Sequence, residues 1–240
     1  MSDRIITAAS FSRLKDYERC PYMLWLKSGE KRSTAHMDTT AADRGTMVHD
    51  ACEQHTKGQG DIIKEMYKFG DYFKDLRDEY VAGDVVVEED WGFDKDWQVT
   101  GWWDDDVRIR VKLDNFRIRA RNEEGEPVAG IPTDYKTGKK FGNEVAHSQQ
   151  GQLYAITCFL RYPTLELADV EFVYLDHGLK SKPKRYTREK AMKFLPSWEA
   201  RFQKIFNDRE FRPKPNKINC KWCPFGPQNG DSTCAWGVDE

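Results

Sequence analysis

The chain has 240 residues and a mass of 28.0 kDa, enough to bury a sizeable core but short for two full domains, so one domain spanning 1–240 is expected. It is 39% hydrophobic and 32% charged at a mean hydropathy of −0.80. No stretch approaches the roughly 18 apolar residues of a membrane helix, and no apolar run follows Met1-Ser2-Asp3-Arg4 as in an export signal. Membrane and secreted classes are thereby excluded, leaving a cytoplasmic protein of cellular or viral origin. The net charge, 38 − 40 = −2, excludes a global bias toward nucleic acid.

Residues 10–27 read as a helix, with Phe11, Leu14, Tyr17 and Cys20 at helical spacing and Pro21 disturbing or restarting it. A second helix is expected over 43–56. A third is expected over 61–80, with Asp61 as N-cap and Ile62, Met66, Phe69, Phe73, Leu76 and Tyr80 on one face. Strands follow at Val85–Val87, Gln98–Trp103 and Val107–Ala120. In the last of these the apolar positions switch parity after Asp114-Asn115, which predicts a bulge, bend or turn there.

Glu123 to Pro127 reads as a turn leading into a strand that ends at Asp134-Tyr135-Lys136. His147–Tyr162 suits a helix and Val170–Asp176 a strand. Thr187 caps a long amphipathic helix carrying Leu195, Trp198, Phe202 and Ile205, which Pro196 should kink or split. The last 30 residues, rich in Pro, Asn, Gly and Cys, need a staple to fold. The order predicts an α/β chain with a mixed sheet (α+β) and helices packed around it.

Charge is distributed unevenly. Residues 84–106 carry nine acids and one lysine, 107–121 six bases and Asp114, and 180–193 seven bases and Glu189. Such runs commonly form solvated faces, but the two basic ones are compatible with phosphate contacts.

Asp134 and Lys136, at i and i+2 of a strand, share a face. Alone that is the pattern of a surface salt bridge. A carboxylate there can also hold Mg²⁺, and the ammonium can orient a water or stabilise a developing phosphorane charge. Asp114 lies twenty residues upstream, the separation at which a hairpin brings two carboxylates to one end of a sheet. Two carboxylates and a lysine make a minimal metal-dependent phosphodiesterase site. Arg44-Gly45-Thr46-Met47-Val48-His49 opens the second helix, where His49 could offer an imidazole to a metal. Gln150 and Tyr154 lie one turn apart on one helical face.

Taken in order, Gly45-x-x-x-His49, Asp114, Asp134-x-Lys136 and Gln150-x-x-x-Tyr154 resemble the RecB-like branch of the PD-(D/E)XK nucleases. Phe11-Ser12-Arg13-Leu14-x-x-Tyr17-x-x-Cys20-Pro21 is similar to that branch's N-terminal signature, and Asp134 to Lys139 to its best-known string. The resemblance runs from Phe11 to Cys234. It implies a restriction-endonuclease-like core and Mg²⁺ or Mn²⁺ held by His49, Asp114, Asp134 and the Tyr135 carbonyl. Lys136 would position the nucleophile, with Gln150, Tyr154 and Arg44 toward the substrate. One departure is local: the second acidic position of the family often follows a glycine two or three residues back, and here the segment is Arg110-Val111-Lys112-Leu113-Asp114. Asp104, Asp105 and Asp106 remain alternatives to Asp114.

In a chain with no export signal the six cysteines are expected to be reduced. Cys220-x-x-Cys223 with Cys234 eleven residues on favours a metal or cluster. Cys20, in its Cys-Pro pair, resembles the first cluster ligand of AddB-type nuclease domains and CRISPR-associated RecB-family exonucleases. That resemblance implies a [4Fe–4S] cluster on Cys20, Cys220, Cys223 and Cys234, joining residues 1–27 to 212–240, with zinc as the competing occupant. Cys52 and Cys158 read as core residues.

The expected activity is that of a metal-dependent DNA exonuclease acting on single-stranded ends, in repair, recombination or CRISPR-type adaptation. A helicase, recombinase or integrase would then be a partner, since no helicase motif and no phosphate-loop glycine pattern are present. The alternatives are a non-catalytic nucleic-acid-binding protein stabilised by zinc or a cluster, and a nuclease subunit active only in a larger complex.

Overall fold

The computed structural model describes residues 4–138, 140 and 142–239. A short strand β1 (Ala9–Ser10) leads into α1 (Phe11–Arg19), whose first turn is capped by the Ser10 hydroxyl. Cys20 is extended and Pro21 restarts the helix at its first position, giving α2 (Pro21–Leu24) and one wide turn, Trp25–Gly29. The expected helix over 10–27 is therefore broken at Pro21. The next helix, α3 (Thr40–Thr56), begins three residues earlier than the periodicity suggested.

The helix expected over 61–80 divides. Lys64–Phe69 form a 3₁₀ segment, Phe69 leaves the helical region, and α4 runs Gly70–Val81. Asp61 accordingly caps nothing. Glycine is a poor helix-interior residue, and the break comes at Phe69-Gly70.

Strands β2 (Val85–Phe93), β3 (Val99–Thr100), β4 (Ile109–Arg121) and β5 (Pro127–Lys136) follow, with β3 and β4 antiparallel to β2 on its two sides and β5 antiparallel to β4. The strand expected over Gln98–Trp103 shrinks to two residues, because the Asp104 carboxylate turns the chain by accepting from the Gly101 amide and the Thr100 hydroxyl. Helix α5 (Glu144–Arg161) then crosses over to β6 (Leu167–Tyr174), which pairs parallel with β5. After a 3₁₀ turn at Leu175–His177 come β7 (Leu179–Lys180) and β8 (Lys184–Thr187), both paired with β6. The sheet order is β3-β2-β4-β5-β6-β7, with β1 parallel to β4. Thr187 caps only the short α6 (Arg188–Met192); α7 (Leu195–Asn207) starts afresh with Pro196 in its first turn, and α8 (Lys217–Lys221) opens the cysteine-rich tail.

The parity switch in β4 is real, but it is not a slip against β2. Glu89 faces Leu113 and Val87 faces Asn115 in one register, and the irregularities fall between Ile118 and Arg121, against β5. Leu113, Asp114, Asn115 and Phe116 are all buried, whereas positions on either side alternate. The strand passes there from cover on one face to cover on both.

One core joins α1, α5 and α7 to the sheet through Leu14, Leu153, Ile156, Trp198 and Phe202. A second, under α3 and α4, gathers Val48, Cys52, Phe73, Leu76, Tyr135 and Val173. Gly130 is required where it lies: a Cβ there would be 2.3 Å from the Phe116 ring, which stacks on Tyr162 at 4.9 Å. Among the described residues no helix is long and apolar enough to cross a membrane.

Candidate active site

The β4–β5 hairpin pairs Asn115 with Thr133, which puts Asp114 beside Asp134. Both carboxylates are buried, Asp114 at 8% and Asp134 at 5% exposure. Asp134 is the most heavily held group. Tyr154 donates its hydroxyl to Oδ1 at 2.6 Å, Gln150 donates Nε2 to the same atom at 3.1 Å, and Lys136 Nζ lies 2.7 Å from Oδ2. That last contact is an ion pair outside hydrogen-bond alignment, so Oδ2 accepts no hydrogen bond from within the protein. Lys136 also donates to Gln150 Oε1 at 2.9 Å.

Opposite, His49 Nδ1 meets Asp114 Oδ1 at 2.6 Å, while Asp114 Oδ2 accepts from the Tyr135 amide at 2.5 Å. Burial and the charge of Asp134 push the Asp114 carboxyl above the usual carboxylate range, against the opposing pull of His49. Burial disfavours a charged His49, yet its bond to Asp114 and the charges of Asp114 and Asp134 outweigh that and raise its pKa. Burial, with Asp134 next, holds the Tyr154 phenol far above its ordinary value, so it stays a donor.

These groups border a cleft of about 310 Å³ lined by Gly45, Thr46, His49, Asp50, Lys112, Asp114 and Asp134. Helix α3 passes close enough that a Cβ on Gly45 would lie 3.4 Å from the Thr137 hydroxyl. Asp50 and Lys112 are residues the sequence reading passed over. The available signal was Lys112-x-Asp114, the same i, i+2 spacing as Asp134-x-Lys136.

Arg44 does not line this cleft. Its guanidinium forks onto Asp176 at 3.0 and 2.7 Å and reaches Glu65 at 3.2 Å. Asp176 in turn accepts from the Gly138 amide at 2.6 Å, and Gly138 turns the chain after the Asp-Tyr-Lys strand at φ +80°. Asp104 and Asp106 share the Thr100 hydroxyl on an exposed turn, away from the cleft, and Asp105 is exposed beside them. Lys139 lies outside the described residues.

Four cysteines come together in a separate cavity. Cys20, Cys220, Cys223 and Cys234 line one cavity of about 20 Å³, closed by Met23, Leu26 and Pro213 among others. All are free thiols, and the Cys20 sulfur accepts from the Lys214 amide at 3.4 Å. Burial, then the neighbouring thiols, pushes the Cys223 and Cys234 thiols up. Cys52 and Cys158 are buried in the two main cores, apart from this set.

A family model of the PD-(D/E)XK nuclease superfamily matches residues 8–131 and 82–228, together most of the chain. A solved structure titled "Crystal structure of SSO0001" is similar at 14% identity and a TM-score of 0.45, over 97% of this chain and 88% of that one. No curated protein matches the sequence.

Nucleases of this superfamily typically use Mg²⁺. Among the described residues no three His, Cys, Asp or Glu side chains already form a metal-chelating group. The donor chemistry nonetheless suits a hard cation: two buried carboxylates face one cleft, and Asp134 Oδ2 accepts no aligned hydrogen bond, with the Lys136 ammonium beside it. Each carboxylate has a basic neighbour, His49 on Asp114 and Lys136 on Asp134. The span of the family match and this cluster of side chains agree: the chain belongs to the PD-(D/E)XK nuclease superfamily.

Proposed function

We propose that the protein is a Mg²⁺- or Mn²⁺-dependent deoxyribonuclease that removes nucleotides from single-stranded DNA ends inside the cell. The observation that carries this reading is the convergence of Lys136, Gln150 and Tyr154 on Asp134, across a cleft from the His49–Asp114 pair. A divalent cation held by Asp114, Asp134, His49 and the Tyr135 carbonyl would supply charge against the phosphate and water of lowered pKa.

The protein's own groups do the rest. Lys136, fixed between Asp134 and Gln150, orients the attacking water and offsets the negative charge that builds on the phosphorane. Tyr154 and Gln150 lock the Asp134 rotamer, and the Tyr135 amide locks Asp114. Preference for free ends, and service to a helicase, recombinase or integrase in repair, recombination or CRISPR-type adaptation, rest on the motif resemblance.

The four tail cysteines are read as ligands of a [4Fe–4S] cluster that staples residues 1–27 to 212–240, supported by their shared cavity and the Cys-Pro motif. Zinc is a second reading, since a set of four thiolates suits a single zinc ion equally. Counting iron and zinc in protein purified without oxygen separates them.

The activity test uses single-stranded DNA labelled at either end, wild type and Lys136→Ala, with Mn²⁺ or EDTA. Degradation by wild type alone, abolished by EDTA, is the expected result, and the label lost first gives polarity. DNA that is bound but never cut would replace the nuclease with a binding protein.

A further inference from the structure

A second pocket adjoins the catalytic residues and is used by none of the chemistry above. It encloses about 180 Å³ between α5 and the β6–β8 edge of the sheet. Its aromatic wall is formed by His147, Phe172, Tyr174 and Tyr186, and Lys182 and Lys184 stand exposed at its rim. The parallel register of β5 and β6 sets Phe172 beside Asp134 and Tyr174 beside Lys136, one strand spacing of about 4.8 Å away. Lys136 Nζ lies 5.6 Å from the centre of the Phe172 ring, so one wall residue of the pocket stands next to the catalytic lysine.

Tyr186 is 1% exposed, and its hydroxyl is buried without any hydrogen-bond partner. That hydroxyl has almost no accessible surface, so Tyr186 closes the pocket as a packed wall and offers its oxygen to no ligand there. Two features separate the pocket from a packing defect. The His147 ring is stacked on Phe172 at 5.5 Å and 25° and makes a 3.0 Å contact to the Tyr174 hydroxyl, so the aromatic wall is fixed in place before any ligand arrives. The rim lysines belong to the basic run 180–193, and Lys184 reaches back to Ser148 at 3.2 Å.

Aromatic walls and a lip where Lys182 and Lys184 outnumber the one carboxylate, Glu144, suit a planar heterocycle carried on a polyanion. We propose that this pocket holds one unstacked nucleobase of the substrate strand, the nucleotide next to the scissile phosphate, with Lys182 and Lys184 against its flanking phosphates. The proposal rests on the nuclease reading and adds to it a physical reason for preferring single strands. A base in duplex must first be unpaired and unstacked to enter, and an unpaired base enters without that cost.

The test follows cleavage, with Mn²⁺, of end-labelled single strands that each carry one abasic residue, stepped along the sequence. Wild type is expected to slow by about 5- to 150-fold, the loss of one base–aromatic stack, at a single bond with a fixed offset from the abasic residue. Ser148→Leu, an exposed position at the pocket mouth, should cut intact strands at the slowed rate and treat abasic strands as wild type does. Wild type that cuts intact strands but slows at no fixed offset overturns the pocket and leaves the nuclease standing. A Ser148→Leu protein that still distinguishes intact from abasic strands as wild type does also overturns it. Wild type that cuts neither strand overturns the nuclease reading and the pocket with it.

Discussion

Tyr154 gives its hydroxyl to Asp134 Oδ1 at 2.6 Å, and Gln150, one turn earlier on α5, donates to both that oxygen and the Tyr154 hydroxyl. A helix thus clamps a strand carboxylate through two neutral donors, which fixes its orientation without neutralising its charge. Tyr154→Phe keeps the ring and removes the donor. The expected result is a fall of about 10- to 100-fold in Mg²⁺ affinity or activity, with a loss of roughly 1–3 kcal/mol in urea unfolding because a buried acceptor loses a partner. Metal titration of the cleavage rate checks it; unchanged metal dependence would reduce Tyr154 to packing.

Lys136 separates charge from bulk. Its ammonium contacts Asp134 and Gln150, while the chain passes near the Phe172 ring. Lys136→Met retains the stem, so the fold and strand binding should persist while cleavage falls by about 10²–10³-fold, as when one aimed donor is lost from a charge-stabilising site. Removing Mg²⁺ with EDTA from wild type should reproduce the loss. Filter binding run beside the cleavage assay is the check, and weakened binding equal to the lost rate would sink the positioning role.

What the sequence made legible were meetings governed by local periodicity. Period two put Asp134 and Lys136 on one side of a strand, and period 3.6 put Gln150 and Tyr154 on one side of a helix. The cysteine spacing likewise grouped Cys220 and Cys223. What stayed hidden depended on contacts distant in the chain. Arg44 read as a substrate-facing residue, but Asp176, 132 residues away, takes its guanidinium. Phe172 and Tyr174 read as ordinary strand residues until the β5–β6 pairing set them beside Asp134 and Lys136. The switch of apolar parity at Asp114 pointed to an irregular place, but its cause is cover on both faces rather than a bulge, which period alone cannot distinguish.

The Arg44–Asp176 fork carries a pH signature. Hydrogen bonds from Arg44 are the main reason the Asp176 carboxyl is held below the usual range; partial burial opposes them and the Gly138 amide adds to them. A folded-state pKa below the unfolded one means the stabilisation is complete above the unfolded value of about 3.9 and is lost as pH falls through the folded value. Asp176→Asn should therefore destabilise the fold at neutral pH, by on the order of 1 kcal/mol given its partial exposure, and so lower Tm. The gap from wild type should close below roughly pH 4. A gap that is constant from pH 7 to pH 3 would show that charge plays no part.

The cysteine tail offers the sharpest separation between a staple and a bystander. Cys20 lies at the end of α1 and Cys220 near the end of α8, and the apolar cluster around them is small: Met23, Leu26 and Phe225, with Tyr22 and Trp25 partly buried against it. A metal linking them would close a loop of some two hundred residues, worth roughly 5 kcal/mol in the chain-entropy model. Removing the metal, or changing Cys20 to Ser, should then raise hydrogen exchange across 217–237 and along α1 first. Strands β4 and β5, deep in the sheet with Asp114 and Asp134, should keep their protection until global unfolding. Exchange that rises in the tail alone, with α1 unchanged, would mean the tail cysteines bind without Cys20. Uniform protection in metal-free protein would mean that burial of Cys223 and Phe225, rather than ligation, holds the tail.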